Sequence, residues 1–159
     1  MPSDERAEGW MREAIRLAQQ AAAAEEAPIG CVIVHDPTQK IVGTGYNRRM
    51  VDRDATAHAE ILAIRAAGQE LRDWRLIDCT LYVTLEPCPM CAGAIVNARL
   101  PRLVYGCDDP KAGAVKTLYQ LCEDGRLNHR VQVTGGVLAR ECGDLLREFF
   151  RKQRAMGKG

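Results

Sequence analysis

The segment that most constrains this chain is residues 80–91, TLYVTLEPCPMC. A run of β-branched and aromatic residues reads as a strand, and it passes with hardly a break into two cysteines three residues apart. At that spacing Cys88 and Cys91 share one face of a helix that starts there. Pro89 suits the first turn of such a helix, where a missing backbone N–H costs nothing. The turn's free N–H groups and positive dipole end lower the pKa of nearby thiols and favour thiolates. Thirty residues earlier stands His58-Ala59-Glu60, at the opening of another apolar helical pattern. Positions 58 and 60 of a regular helix point in different directions, which argues against both binding one ion from mid-helix. A metal lying beyond the helix end is compatible with both, because side chains lean toward the N-terminus. His58 then binds the ion and Glu60 reaches a water on it.

Three ligands, His58, Cys88 and Cys91, leave a fourth tetrahedral position open, which is how catalytic zinc differs from structural zinc. Water held there becomes much more acidic. A carboxylate within hydrogen-bond reach can take its proton and return it to a leaving amine, so Glu60 is the candidate proton carrier. The combination suits hydrolytic removal of an amino group from a purine or pyrimidine ring. Two other readings stay open at this point. A C-x-x-C pair also serves structural zinc, with Cys79, Cys107 or His129 available as a fourth ligand, and strand–C-x-x-C–helix also resembles a thioredoxin-like redox site. The pairing of two helix-opening segments weighs against both. The remaining cysteines, at 31, 79, 107, 122 and 142, are read most simply as small core residues.

The 159 residues fit a single domain, 1–159. With 47% apolar and 5% aromatic residues, its core is expected to be mainly aliphatic. A net charge of +1 does not by itself point to nucleic acid, although local patches matter more than the sum. No apolar run approaches a membrane span, and the opening MPSDERAEGW lacks an apolar signal core, so a cytoplasmic location is expected. Periodicity predicts a first helix over 4–24 with Ser3 or Asp4 as its cap, then a hairpin of strands 29–35 and 40–46 around a DPTQ turn. A helix from Thr56 or Ala57 to about 67 follows, with Gly68 just past its end. The later elements are a strand over 80–85, a helix over 89–99, a strand over 103–106, a helical stretch at 117–121, a strand over 131–134 and a closing helix over about 140–156. Strands alternating with helices after a hairpin predict an α/β fold, a mixed three-layer α/β/α sandwich.

H-x-E followed by P-C-x-x-C resembles the signature of the zinc-dependent nucleobase deaminases. Within them the chain is most similar to the bacterial tRNA-specific adenosine deaminases, over nearly its whole length. The similarity includes Ala27-Pro28-Ile29-Gly30, Gly45-Tyr46-Asn47-Arg48, Thr56-Ala57-His58-Ala59-Glu60 and the stretches 81–88 and 90–95. It continues through Tyr105-Gly106-Cys107-Asp108-Asp109-Pro110-Lys111, Asn128-His129-Arg130-Val131, Glu141-Cys142 and Leu145-Leu146-Arg147-Glu148-Phe149-Phe150, which are more specific to that branch. The resemblance implies a cytidine-deaminase-like fold of five strands with helices on both faces and one zinc ion per subunit between two helix N-termini. It implies conversion of the wobble adenosine of a tRNA anticodon to inosine, with a homodimer completing the site. It further implies substrate contacts from Asn47, Asp109, Ile29, Ala59, Pro87, Arg48, Lys111 and Phe149, with Asp109 by the ribose and Phe149 stacked on a base. Asn47 also reads as a turn residue, Asp109 as the cap of a following helix and Phe149 as core. Arg49 and Arg53 join Arg48 and Lys111 as candidates to line an RNA path. Asp54-Ala55-Thr56 departs from the family, which often has Pro there. Pro-Cys-Pro-Met-Cys also occurs in guanine and cytosine deaminases, which keeps deamination of a free base or nucleoside as the alternative activity. A non-catalytic, zinc-stabilised RNA-binding subunit is the third reading.

Overall fold

A computed structural model describes residues 4–157. Helix α1 (Asp4–Ala23) leads into strands β1 (Gly30–His35) and β2 (Lys40–Tyr46), which form the expected antiparallel hairpin. Helix α2 (Ala59–Leu71), strand β3 (Cys79–Leu85), helix α3 (Pro89–Asn97) and strand β4 (Arg102–Cys107) follow. A short 3-10 turn (Leu121–Glu123), strand β5 (Gln132–Thr134) and helix α4 (Ala139–Ala155) complete the chain. The strands form one sheet in the order β2-β1-β3-β4-β5. β1 is antiparallel to β2 and β3, whereas β3, β4 and β5 run parallel.

Helices cover both faces, so β1 and β3 are buried along nearly their whole length. Alternation still sorts their side chains. Ile33, Leu81, Val83 and Tyr105 meet Ala63, Ala67 and Ile95 of α2 and α3 on one face. Val32, Val34, Tyr82 and Val104 meet Met11, Ala14, Leu17 and Cys142 of α1 and α4 on the other. This is the mixed three-layer α/β/α sandwich with a mainly aliphatic core that pattern and composition predict. Among the described residues no helix is long and apolar enough to cross a membrane.

The register sets where loops emerge. Leu85 at the end of β3 lies opposite Cys107 at the end of β4, and Gly30 at the start of β1 lies opposite Tyr46 at the end of β2. β1 is antiparallel to β3, with Cys31 opposite Val83. The segments 27–29, 47–58, 86–88 and 108–120 therefore leave from a single edge of the sheet.

Some elements depart from expectation. α2 begins at Ala59, because the Ala57 carbonyl accepts from the Arg48 N–H and residues 54–58 form turns. It runs through Gly68 to Leu71, which packs on the core, and Arg72 supplies the left-handed cap. α3 stops at Asn97, and Arg99 turns left-handed with φ 60°. No α-helix forms at 117–121, where the N–H groups of Leu118 and Tyr119 share the Gly113 carbonyl and that of Leu121 reaches back to Ala114 instead of to a carbonyl four residues back. The expected cap at Ser3 or Asp4 lies outside the described residues and side chains.

α2 lies close on the hairpin because both surfaces are nearly bare. Its inner face is Ala59, Ala63 and Ala67, set against Gly43 and Gly45 of β2. A Cβ on Gly45 would stand 2.3 Å from the Ala59 carbonyl oxygen and 2.9 Å from the Ala63 nitrogen, both backbone atoms. Gly45→Ala is therefore expected to cost about 1–3 kcal/mol, the usual penalty of overpacking, read as a lower midpoint in urea unfolding with an unchanged slope.

Candidate active site

His58 is the N-cap of α2 and Cys88 the N-cap of α3. Both have extended backbones and neither side chain caps its own helix, so both project past the helix ends. Pro89 occupies the first turn of α3, as expected. His58 Nδ1 lies 3.6 Å from Cys88 Sγ and 3.5 Å from Cys91 Sγ. A tetrahedral ion bonded at about 2.0 Å to an imidazole nitrogen and about 2.3 Å to a thiolate holds those atoms about 3.6 Å apart. The three donors thus fit a metal ion as they stand. Among the described residues no other group of three histidine, cysteine or acidic side chains converges in this way.

The proposed fourth ligands are engaged elsewhere. The Cys107 thiol donates to the Thr84 carbonyl at 3.6 Å, His129 Nε2 donates to the Leu100 carbonyl at 2.7 Å, and Cys79 is buried at the far end of β3. Among the described residues no fourth histidine, cysteine or acidic ligand closes the group. Cys31, Cys122 and Cys142 are buried, as expected of core residues.

Glu60 enters the same place from the first turn of α2 and is only 4% exposed. Burial, reinforced by the Cys88 charge, raises its pKa to about 7 despite a hydrogen bond from its own backbone N–H. Cys88 is lowered to about 4, first by a hydrogen bond from the Cys91 thiol and then by His58. Cys91 is driven well up by that shared proton and by burial. His58 is raised, chiefly by its bond to Cys88. A low-pKa thiol, an imidazole and a buried carboxyl that ionises near neutrality share one corner.

These groups lie in a cleft of about 360 Å³ at the sheet edge. Ala27, Ile29 and Asn47 line it from the hairpin side, with Arg49. His58, Ala59, Glu60 and Cys88 line it from the helix ends, and Leu85, Glu86, Asp109, Lys111 and Ala112 from the β3–β4 side. Leu146 and Phe150 of α4 complete it.

Most of the expected contact residues are therefore here: Ile29, Asn47, Ala59, Asp109 and Lys111. Asn47 also plays the plainer part foreseen for it, whereas Asp109 caps no helix. Asn47 is buried, and its Oδ1 accepts from the Arg49 N–H at 3.2 Å in a turn. Asp109 Oδ1 accepts from the N–H groups of Lys111 and Ala112 at 3.0 and 3.2 Å, which closes a turn and not a helix.

Three expected residues are not in the lining. Pro87 is buried behind it, with its carbonyl accepting from the Ala114 N–H. Arg48 is held by Asp52 at 3.0 Å and by the Tyr46 hydroxyl at 3.2 Å. Phe149 packs edge-on against Phe150, and it is Phe150, 45% exposed, that reaches the cleft. Successive helix positions differ by about 100°, so a shift of one residue decides which ring faces the site.

Sequence reasoning also missed Leu146, Ala112 and two buried acids. Glu26 accepts from the N–H groups of Met50 and Val51 at 3.1 and 2.7 Å. Glu86 accepts from the N–H groups of Asp109, Lys116 and Thr117 at 3.0, 2.9 and 2.9 Å. Burial lifts the Glu86 pKa, but the Thr117 hydroxyl and these N–H groups outweigh it and hold the carboxyl below its usual range. The available signal was an acid closing an otherwise apolar strand.

A family model for MafB19-like deaminases matches residues 5–154. A tRNA-specific adenosine deaminase of Haemophilus influenzae is 48% identical over 147 residues, covering 92% of this chain and 84% of that protein. The chain belongs to this deaminase family. The solved structure of a tRNA:A34 deaminase, from work on A-to-I editing at the wobble position of transfer RNA, matches with a TM-score of 0.82 and 40% identity. That match covers 87% of this chain and 99% of the other. A guanine deaminase from Nitrosomonas europaea shares the fold at a TM-score of 0.78 and 26% identity, with 89% and 83% of the two chains covered.

As a member of this deaminase family, the chain is expected to depend on its three-donor group for metal. His58→Ala and Cys91→Ser should each weaken metal binding by at least about tenfold, seen as sub-stoichiometric metal by elemental analysis of the purified protein. Asn47→Ala, in the cleft but outside the donor set, should keep the full complement.

Proposed function

We propose that the protein is a zinc-dependent hydrolase that converts the wobble adenosine of a tRNA anticodon to inosine and releases ammonia. The observation that carries the reaction is the buried carboxylate of Glu60 beside the His58–Cys88–Cys91 group in a cleft. The cleft's volume of about 360 Å³ falls in the range of small-molecule sites. The choice of substrate rests on identity of 40% and a TM-score of 0.82 to the tRNA:A34 deaminase, against 26% and 0.78 to one guanine deaminase and 34% and 0.60 to another.

His58, Cys88 and Cys91 would hold one zinc ion per subunit, which when bound supplies Lewis acidity that makes a water acidic near neutral pH. Glu60 carries the protons. Its carboxylate takes one from the attacking water and delivers it to N1 of the purine as oxygen bonds to C6. It then takes the proton remaining on that oxygen and delivers it to the departing amine. The two protons of one water thus end on N1 and on ammonia, and the oxygen becomes the C6 carbonyl. Burial suits Glu60 to this, because a carboxyl that ionises near the working pH can both accept and donate.

Asn47, Ile29 and Ala59 hold the nucleoside, and Asp109 stands where a carboxylate can accept from a ribose 2′-hydroxyl, which favours RNA. Lys111 and Arg49 bring positive charge to the cleft for the phosphates. Phe150 takes the stacking role first assigned to Phe149, because its ring is the one at the cleft. An anticodon loop already presents its bases unstacked, so little energy is spent on extrusion. The partner is a tRNA anticodon stem-loop, and a homodimer is the expected assembly.

A purely structural zinc site has no use for Glu60, which weighs against a non-catalytic RNA-binding subunit. Deamination measured side by side on an anticodon stem-loop, guanine and cytosine tests the substrate. Inosine is expected from the stem-loop alone, and turnover of guanine or cytosine without RNA turnover would overturn the assignment. Glu60→Ala is expected to lower inosine formation by about 10²–10⁴-fold or more while metal content and stem-loop binding persist. Undiminished turnover by that variant would sink the proton-transfer role.

A further inference from the structure

Glu86 lies 2% exposed, next in sequence after β3, and takes no part in the reaction described above. Five donors nevertheless converge on its carboxylate. Oε1 accepts from the Asp109 N–H at 3.0 Å and from the Thr117 hydroxyl. Oε2 accepts from the N–H groups of Val115, Lys116 and Thr117 at 3.3, 2.9 and 2.9 Å. The clasp is close enough that a Cβ on Gly113 would stand 2.3 Å from the carboxyl carbon. The segment it gathers has no helix or strand of its own between β4 and the 3-10 turn. Asp109 then organises the next step of that segment, through the N–H groups of Lys111 and Ala112.

We infer that Glu86 is a positioning residue for deamination: it anchors the 108–117 segment, and through the Asp109 N–H it sets the place of the wall that faces Glu60. The physical case is a matter of alternatives. A loop that packs part of its backbone against the fold must satisfy those N–H groups, and here they have one ionised acceptor instead of a ladder. Losing that acceptor frees the loop to seek water, and the Asp109 side chain moves with its backbone. Misplacement of a substrate-holding group by about 1 Å can cost on the order of 100-fold in rate.

This rests on the reading of Asp109 as part of the substrate wall, so the test has one arm that needs no substrate. Hydrogen exchange of Glu86→Gln is expected to quicken at the amides of Asp109, Val115, Lys116 and Thr117 while α2 and α3 keep wild-type protection. Unchanged protection in the loop, or faster exchange throughout, overturns the anchoring. The second arm is kinetic, with the anticodon stem-loop. Glu86→Gln should retain its metal and lose about 10–100-fold in kcat. In an Asp109→Ala background the same change should cost under about twofold, because the two act through one wall. A full, additive loss in that background overturns the coupling. If wild-type protein fails to deaminate the stem-loop, the functional reading fails, whereas the exchange result still decides the anchoring. Should Glu86→Gln not fold, Thr117→Val removes one donor from the same clasp. It is judged by the same localised exchange and the same loss of coupling to Asp109.

Discussion

Two helix N-termini have to arrive within bonding distance of one point while both helices remain seated on the same face of one sheet. That constraint explains the composition of the surrounding core. α2 approaches so closely that backbone meets backbone at Gly43 and Gly45, and the residues it sets against them are Ala59, Ala63 and Ala67. Larger side chains would lift α2 off the hairpin and carry His58 away from Cys88 and Cys91. Parallel pairing of β3 with β4 then sets Leu85 beside Cys107, so the cysteine-bearing helix and the Asp109 segment start from the same edge. The aliphatic, glycine-marked interior is thus a condition of the site as well as a source of stability.

The walls of the cleft obey a different rule. Residues 47–57 and 108–120 have no continuous ladder and are largely exposed, with buried stretches only at Asn47, Ala57 and 113–115. Buried carboxylates stand in for the missing acceptors. Glu26 holds the first segment through Met50 and Val51, and Glu86 holds the second through Asp109, Lys116 and Thr117. Each buried N–H left without an acceptor costs on the order of 1–3 kcal/mol, so such a carboxylate stabilises a loop geometry that propensity would not choose.

This division also accounts for what the chain disclosed in advance. The strands were legible because β-branched runs such as CVIVH and TLYVTL meet their partners within a simple alternating pattern. The convergence of His58, Cys88 and Cys91 with Glu60 beside them was legible because it follows from local spacing, two residues at His58–Glu60 and three at Cys88–Cys91. The start of α2 was missed because Arg48, distant in sequence, claims the Ala57 carbonyl. The helix expected at 117–121 does not form, because the Leu118 and Tyr119 N–H groups close back on the Gly113 carbonyl while Glu86, some thirty residues away, gathers the chain just before them. Phe150 was passed over for Phe149 because the rotation of α4 on the sheet is a docking outcome, and periodicity resolves a face and not a single position.

Reaction and substrate are consequently written in different parts of the fold. Glu60 and the His58–Cys88–Cys91 group sit on helix ends fixed by the core, where small displacements are resisted by close packing. Asn47, Asp109 and Lys111 sit on segments held by a few side-chain bonds, where substitution can reshape a wall without moving His58, Cys88 or Cys91. The guanine deaminase at a TM-score of 0.78 and 26% identity is consistent with that separation. A shared sheet and helix pair can serve more than one base. Asp109, Lys111, Asn47 and Phe150 line the cleft apart from that helix pair, so under the proposed reaction the choice of base falls to how they are held.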